Sequence, residues 1–127
     1  MTQQQQLEIL VIDDKPCIVL SFYQTLKDKG VRLDVVQTTA DGLDLMTRKR
    51  YDLLFTDLMQ QPSGIEVYRT AVSKGIEAYI MTGGGALLEE ARAVAGESLL
   101  MKPFLIKEVI YPIIEKARQR KLEPPKP

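Results

Sequence analysis

Two adjacent carboxylates, Asp13 and Asp14, end the apolar run ILVI at 9–12, and other apolar runs end in a similarly small set of polar groups. Thr56 and Asp57 follow LLF at 53–55. Thr82 follows YIM at 79–81 and precedes Gly83-Gly84-Gly85, and Lys102 follows LLM at 99–101 and precedes Pro103. Brought to one place, these groups amount to three carboxylates, a hydroxyl and an ammonium. Clustered carboxylates repel one another unless a cation holds them. An all-oxygen set suits Mg2+, which keeps several waters and takes one or two carboxylates. An ion beside Asp57 would orient that carboxylate and draw in a phosphoryl donor. The Thr82 hydroxyl and the Lys102 ammonium would then meet the oxygens of the incoming group. Phosphoryl transfer asks mainly for positioning and charge neutralisation, and these groups supply both.

Each piece has an ordinary alternative. Asp-Asp before a helix can be an N-cap with favourable dipole placement, and a strand-terminal aspartate such as Asp57 can be a turn residue. Thr82 can be a capping hydroxyl, and Lys-Pro an ordinary loop. The glycine triplet lacks GxGxxG spacing and no GK[ST] follows, so a nucleotide loop is not indicated. The conjunction of four strand ends, each with a suitable group, is what points to a site.

The positioning elements follow from the apolar pattern. The runs at 9–12, 53–55, 79–81 and 99–101 are near-continuous, as in strands covered on both faces, and RLDVVQ at 32–37 reads as a further strand nearer an edge. Between them lie helical segments. The first runs from Pro16 to Lys29, with Ile18, Val19, Phe22 and Leu26 at helical spacing and Gly30 as a stop. Others span Ala40 to Lys49, presenting Leu43, Leu45 and Met46, and Ile65 to Lys74, presenting Ile65, Tyr68, Ala71 and Val72. The last two span Ala86 to Ala95, presenting Leu87, Leu88, Ala91 and Val94, and Ile106 to Lys121. This alternation predicts an α/β fold: a doubly wound, five-stranded parallel sheet with helices on both faces, joined by right-handed crossovers. Such sheets bind ligands beyond the C-terminal ends of their strands, the edge where the polar groups collect.

Composition narrows the remaining classes. A 127-residue chain that is 45% hydrophobic can bury one core, so 7–121 is expected to be one domain, with a flexible lead-in at 1–6 and a tail or linker stub at 122–127. Lys plus Arg equals Asp plus Glu at 17 each, which removes any bulk attraction to nucleic acid or anionic membrane. The single Cys17 excludes an internal disulfide, and the absence of histidine excludes His-based triads, His-ligated zinc and a phosphohistidine in this chain. The start, MTQQQQ, has no signal-peptide core, and no apolar run approaches the roughly 20 residues of a membrane span. A cytoplasmic location is expected. Lys116, Arg118, Arg120 and Lys121 suit a helix C-terminus, and no nucleic-acid recognition motif accompanies them.

From Asp13-Asp14 through Asp57 in YDLLFTDLM, Thr82 in YIMTGG and Lys102 in LLMKPF, residues 7 to 121 resemble the receiver domain of bacterial two-component response regulators. The resemblance implies a flavodoxin-like sheet in the order 2-1-3-4-5. It makes Asp57 the phosphoacceptor and assigns Mg2+ to Asp13, Asp14, Asp57 and the backbone carbonyl of Met59. Thr82 would move towards the phosphoryl group, and Lys102 would ion-pair with it beside a cis Lys102-Pro103 bond. It further implies a histidine kinase or phosphotransfer protein as donor, with small donors such as acetyl phosphate also serving. Output would go to a protein partner or a second copy, through the surface of the fourth helix, fifth strand and fifth helix. The chain would then be a regulatory phosphoacceptor and not a turnover enzyme.

Departures from the family pattern carry expectations too. Leu99 stands where receivers usually have an aromatic residue, so switching by an aromatic rotamer is not expected. Against D-x-x-M-P-x-x-D-G this chain reads DLMQQPSG: the proline comes one place late, Ser63 replaces the usual acid, and the loop is one residue shorter. Displacement of the Met59 carbonyl and weaker metal binding would follow. The glycine triplet predicts a mobile loop, and Pro112 predicts an interruption and bend in the last helix. Two other readings compete. One is a receiver-fold interaction module that does not use phosphate, and the other is a metal-dependent phosphohydrolase. The latter needs a general acid two places after the nucleophile, where Met59 has no proton to give.

Overall fold

The computed structural model describes residues 6–122, so most of the expected lead-in and tail lies outside the described residues. Five strands, β1 (Leu7–Ile12), β2 (Val31–Val36), β3 (Leu53–Asp57), β4 (Glu77–Thr82) and β5 (Leu99–Met101), alternate with five helices. These are α1 (Pro16–Leu26), α2 (Thr39–Arg48), α3 (Gly64–Ser73), α4 (Leu88–Ala95) and α5 (Ile106–Leu122). All strand pairs are parallel and the order is β2-β1-β3-β4-β5, as expected.

Strand periodicity divides the core between the two faces of the sheet. Leu7, Ile9 and Val11 of β1 join Phe55 of β3 beneath α1 and α5, meeting Phe22, Leu26, Ile110 and Ile114. Leu10 and Ile12 face the other way with Leu54, beneath α2 and α3, against Met46, Val67 and Ala71. A third cluster sets Ala91 and Ala95 of α4 on Ile80, Leu58 and Ile65. Register then aligns the strand ends: Ile12 lies beside Val36 and Thr56, Asp57 beside Met81, and Thr82 beside Met101. The residues that end β1, β3, β4 and β5 therefore emerge on one rim.

Several local expectations need correction. The first helix ends at Leu26, not Lys29, because the chain turns out through Asp28 at φ 65°. Val72 is 51% exposed, while Val67 takes the inward place; Ala71 and Ile76 already close the core beneath the last turn of α3. LLM at 99–101 is only half-covered because β5 is the second edge of the sheet. The helix expected from Ala86 starts at Leu88, after Gly84 and Gly85 at φ 128° and 109°. Nor does Pro112 interrupt the last helix, which is continuous from Ile106 to Leu122. Pro112 sits on its exposed side, where water can take the carbonyl that loses its N–H partner. Among the described residues no helix is long and apolar enough to cross a membrane.

At the opposite end of the sheet, half-buried charges gather around the buried Tyr51. Asp34 of β2 accepts from the Tyr51 hydroxyl at 2.6 Å and from Lys49 Nζ at 2.9 Å, and Lys49 also lies 2.8 Å from Glu8. The Tyr51 hydrogen bond, aided by Lys49 and opposed by burial, holds the Asp34 carboxyl below its ordinary range. A lowered folded pKa contributes stability above the unfolded value, about 3.9, and that stability is lost as pH falls through the folded value. Urea unfolding of wild type and Asp34→Asn should differ by a steady amount above about pH 4 and begin to converge only as pH falls further, through the lowered folded value.

Candidate functional site

The structure gathers the strand-end residues that the sequence singled out. Oxygens of Asp13, Asp14 and Asp57 lie within 4.8 Å of one another, a hard-oxygen cluster able to hold a divalent cation. Asp13 is fully buried, whereas Asp14 is exposed. Asp13 continues directly from β1, its N–H still bonded to the Val36 carbonyl at 3.1 Å, so its side chain is fixed by the sheet. One of its oxygens accepts from the Lys15 N–H at 2.8 Å, and the other meets Lys102 Nζ at 2.9 Å.

Asp57 is the last residue of β3. Its Oδ1 accepts from the Leu58 N–H at 3.0 Å and stands 3.9 Å from Lys102 Nζ. Lys102 is held at this rim because its N–H donates to the Thr82 carbonyl at 2.7 Å, and the Lys102-Pro103 bond is cis, as expected. Lys102 therefore leans on Asp13 with Asp57 just beyond. Thr82 is buried at the same rim, but its hydroxyl donates to the Gly84 carbonyl at 2.8 Å and accepts from the Gly84 N–H at 3.1 Å. In this structure the hydroxyl is engaged by the glycine loop and not by Asp57.

The short loop after Asp57 is closed tightly. The N–H groups of Gln60 and Gly64 both donate to the Leu58 carbonyl, at 3.1 and 2.9 Å, so neither uses the Met59 carbonyl. Gly64 is required there. A Cβ on it would lie 2.2 Å from the Asp57 backbone oxygen and 2.8 Å from the Leu58 Cα. The Met59 side chain is 47% exposed and lies across Gly85. Ser63, in the place of the usual acid, caps α3 in a reciprocal pair with Glu66. Leu99 packs with the cluster beneath α4, so an aliphatic residue fills the place expected to lack an aromatic.

Two residues of this region escape a reading from sequence. Thr39 is fully buried, and its hydroxyl donates to the Pro62 carbonyl at 2.6 Å. Gln60 sends its amide oxygen to the Thr39 N–H at 2.9 Å and its amide nitrogen to the Gln37 carbonyl at 3.0 Å. The only signal in the sequence is the departure of DLMQQPSG from the usual loop, which marks the place without naming the partners.

The profile of the family described as "Response regulator receiver domain" matches residues 9–113. Among curated proteins, the transcriptional regulatory protein DltR of Streptococcus agalactiae serotype III is 26% identical over 121 residues, covering 91% of this chain and 54% of that protein. The chain thus spans about half the length of that relative. The sporulation initiation phosphotransferase F of Bacillus subtilis is 26% identical over 107 residues, covering 80% of this chain and 86% of that protein. A CheY-like response regulator receiver domain from Methanospirillum hungatei shares the fold, with TM-score 0.76, 23% identity and coverage of 91% and 97% of the two chains.

Proposed function

The chain belongs to the response regulator receiver domain family of two-component signalling, and we propose that it is a phosphoacceptor switch that takes a phosphoryl group on Asp57 with the help of Mg2+. The observation that carries this reading is the convergence of Asp13, Asp14 and Asp57 within 4.8 Å, with Lys102 beside two of them. A set of hard carboxylate oxygens fits Mg2+, which would be held by Asp13, Asp14, Asp57 and the Met59 carbonyl. When bound, the ion supplies neutralisation of the charge on the transferring group.

The chain's own residues do the rest. Leu58 N–H fixes one oxygen of Asp57, leaving Oδ2 to attack phosphorus as the bond to the donor nitrogen breaks. The electron pair of that bond returns to the donor imidazole. Lys102 transfers its attraction from Asp13 to the new phosphoryl oxygens, a short movement given its 3.9 Å separation from Asp57. Thr82 releases Gly84 and donates its hydroxyl to the phosphoryl group, which couples the site to the loop before α4.

With no histidine in these residues, the phosphoryl donor lies outside them: a histidine kinase or phosphotransfer protein, or a small donor such as acetyl phosphate. A groove beside Lys102, lined by Ile18, Thr25, Phe104, Leu105 and Tyr111, supports a donor of protein size. Output through α4, β5 and α5 to a partner or second copy, and a cytoplasmic setting, complete the reading. A phosphate-independent interaction module is favoured by the altered loop after Asp57 and by Leu99 in place of an aromatic residue.

Purified chain incubated with acetyl phosphate should gain one phosphoryl group by intact mass when Mg2+ is present and none in EDTA. Uptake indifferent to EDTA would overturn the metal's role. No uptake, together with no Mg2+ binding at millimolar concentration, would select the interaction module.

A further inference from the structure

We infer that Gln60, seated by Thr39, is a positioning residue for the cation: its side-chain amide replaces the missing loop residue and fixes where Met59 presents its carbonyl. This rests on the magnesium reading above.

For its carbonyl to serve the cation, Met59 must be held beside Asp57 by the loop between β3 and α3. A loop one residue shorter, with its proline displaced, has to achieve this by other means. Its first anchor is Leu58, fully buried and tied to Asp57 through its N–H. The second comes from the neighbouring β2–α2 connection. Thr39 is the first residue of α2, and its N–H is one of the helix donors without an intrahelical partner. Thr38 caps the Asp41 N–H from within, at 3.1 Å, while the Thr39 N–H goes to Gln60.

The same amide donates to the Gln37 carbonyl, so Gln60 spans the turn between β2 and α2 with both ends occupied. Thr39 returns a bond to the Pro62 carbonyl, closing the stitch on the far side. Met59 is thereby enclosed between an anchored Leu58 and an anchored Gln60. Its carbonyl is also spared by the Gln60 and Gly64 N–H groups, which both use Leu58. This clamp would hold the Met59 carbonyl in place despite the shorter loop. Groups of this kind, one shell behind a metal ligand, commonly control affinity.

The test is Mg2+ titration by calorimetry, run with thermal unfolding in EDTA. Gln60→Met keeps the length of the side chain and removes both hydrogen bonds. It should raise the Mg2+ Kd by about 10-fold. Thr39→Ser, which keeps the hydroxyl, should bind like wild type, and Thr39→Val should bind more weakly. In the double variant Gln60→Met/Thr39→Val the losses should be less than multiplicative, because each breaks the same clamp. If Gln60→Met lowers the unfolding midpoint but leaves Kd unchanged, the clamp is structural only and the inference falls while the magnesium reading stands. If wild type itself fails to bind Mg2+, the magnesium reading falls and takes the inference with it.

Discussion

Asp57→Asn should abolish phosphoryl uptake, by at least about a thousandfold, while leaving the chain folded. The two side chains match in shape and differ in charge. Asparagine has nearly the volume of aspartate and keeps an oxygen to accept the Leu58 N–H, so the end of β3 loses no hydrogen bond. What it loses is the anionic oxygen proposed to attack phosphorus; an amide oxygen is a far weaker nucleophile, and its product has no stable counterpart. It also removes one of three mutually repelling carboxylates. Without metal the variant should therefore be more stable than wild type by about 1 kcal/mol, the net of the repulsion relieved from two neighbouring carboxylates and the attraction lost to Lys102 at 3.9 Å. Adding Mg2+ should narrow that gap, because wild type has more charge for the ion to neutralise. Intact mass after acetyl phosphate treatment and urea unfolding with and without Mg2+ read the two effects separately. Label that persists in Asp57→Asn would place the acceptor elsewhere on the chain.

Much of this fold was written in local pattern. The runs ILVI and LLF, covered on both faces, became the fully buried centre of the sheet, and Gly75 fell just past α3 as a stop. Where pattern failed, the deciding contact was distant. Val72 has the periodicity of a core residue, yet the core ends beneath Ala71. LLM looks like a central strand, but strand order puts it at an edge, and order is set by helix packing that no short window contains. Pro112 looks like a break, but its lost hydrogen bond faces water.

The site divides in the same way. Asp13, Asp14, Asp57 and Lys102 could be placed together because each lies within two places of the end of an apolar run, and a parallel sheet turns that fact into proximity. The present partner of Thr82 could not, since it depends on glycines held at positive φ. The amide of Gln60 meets Thr39 across two loops, a pairing with no periodicity to announce it.

Lys102→Met should cost about 3 kcal/mol of stability in EDTA, because it strands a charge in the interior. The Asp13 carboxylate is fully buried, and its polar neighbours in this structure are the Lys15 N–H and the Lys102 ammonium. Removing the ammonium leaves one hydrogen bond and no opposite charge within contact distance, next to two further carboxylates. Breaking such a pair costs more than the pair contributes, since the remaining ion keeps its whole desolvation penalty. The compensating variant follows from the same reasoning. Asp13→Asn combined with Lys102→Met removes both charges and should recover most of the loss, so the two substitutions will be far from additive. Mg2+ should rescue the single variant Lys102→Met more strongly than wild type, because a dication restores the neutralisation that the ammonium provided. Urea midpoints for the four proteins, in EDTA and in Mg2+, decide the matter. A midpoint for Lys102→Met equal to wild type in EDTA would mean that Asp13 is not held as a buried anion by Lys102, and that the ammonium is free for the phosphoryl group from the start.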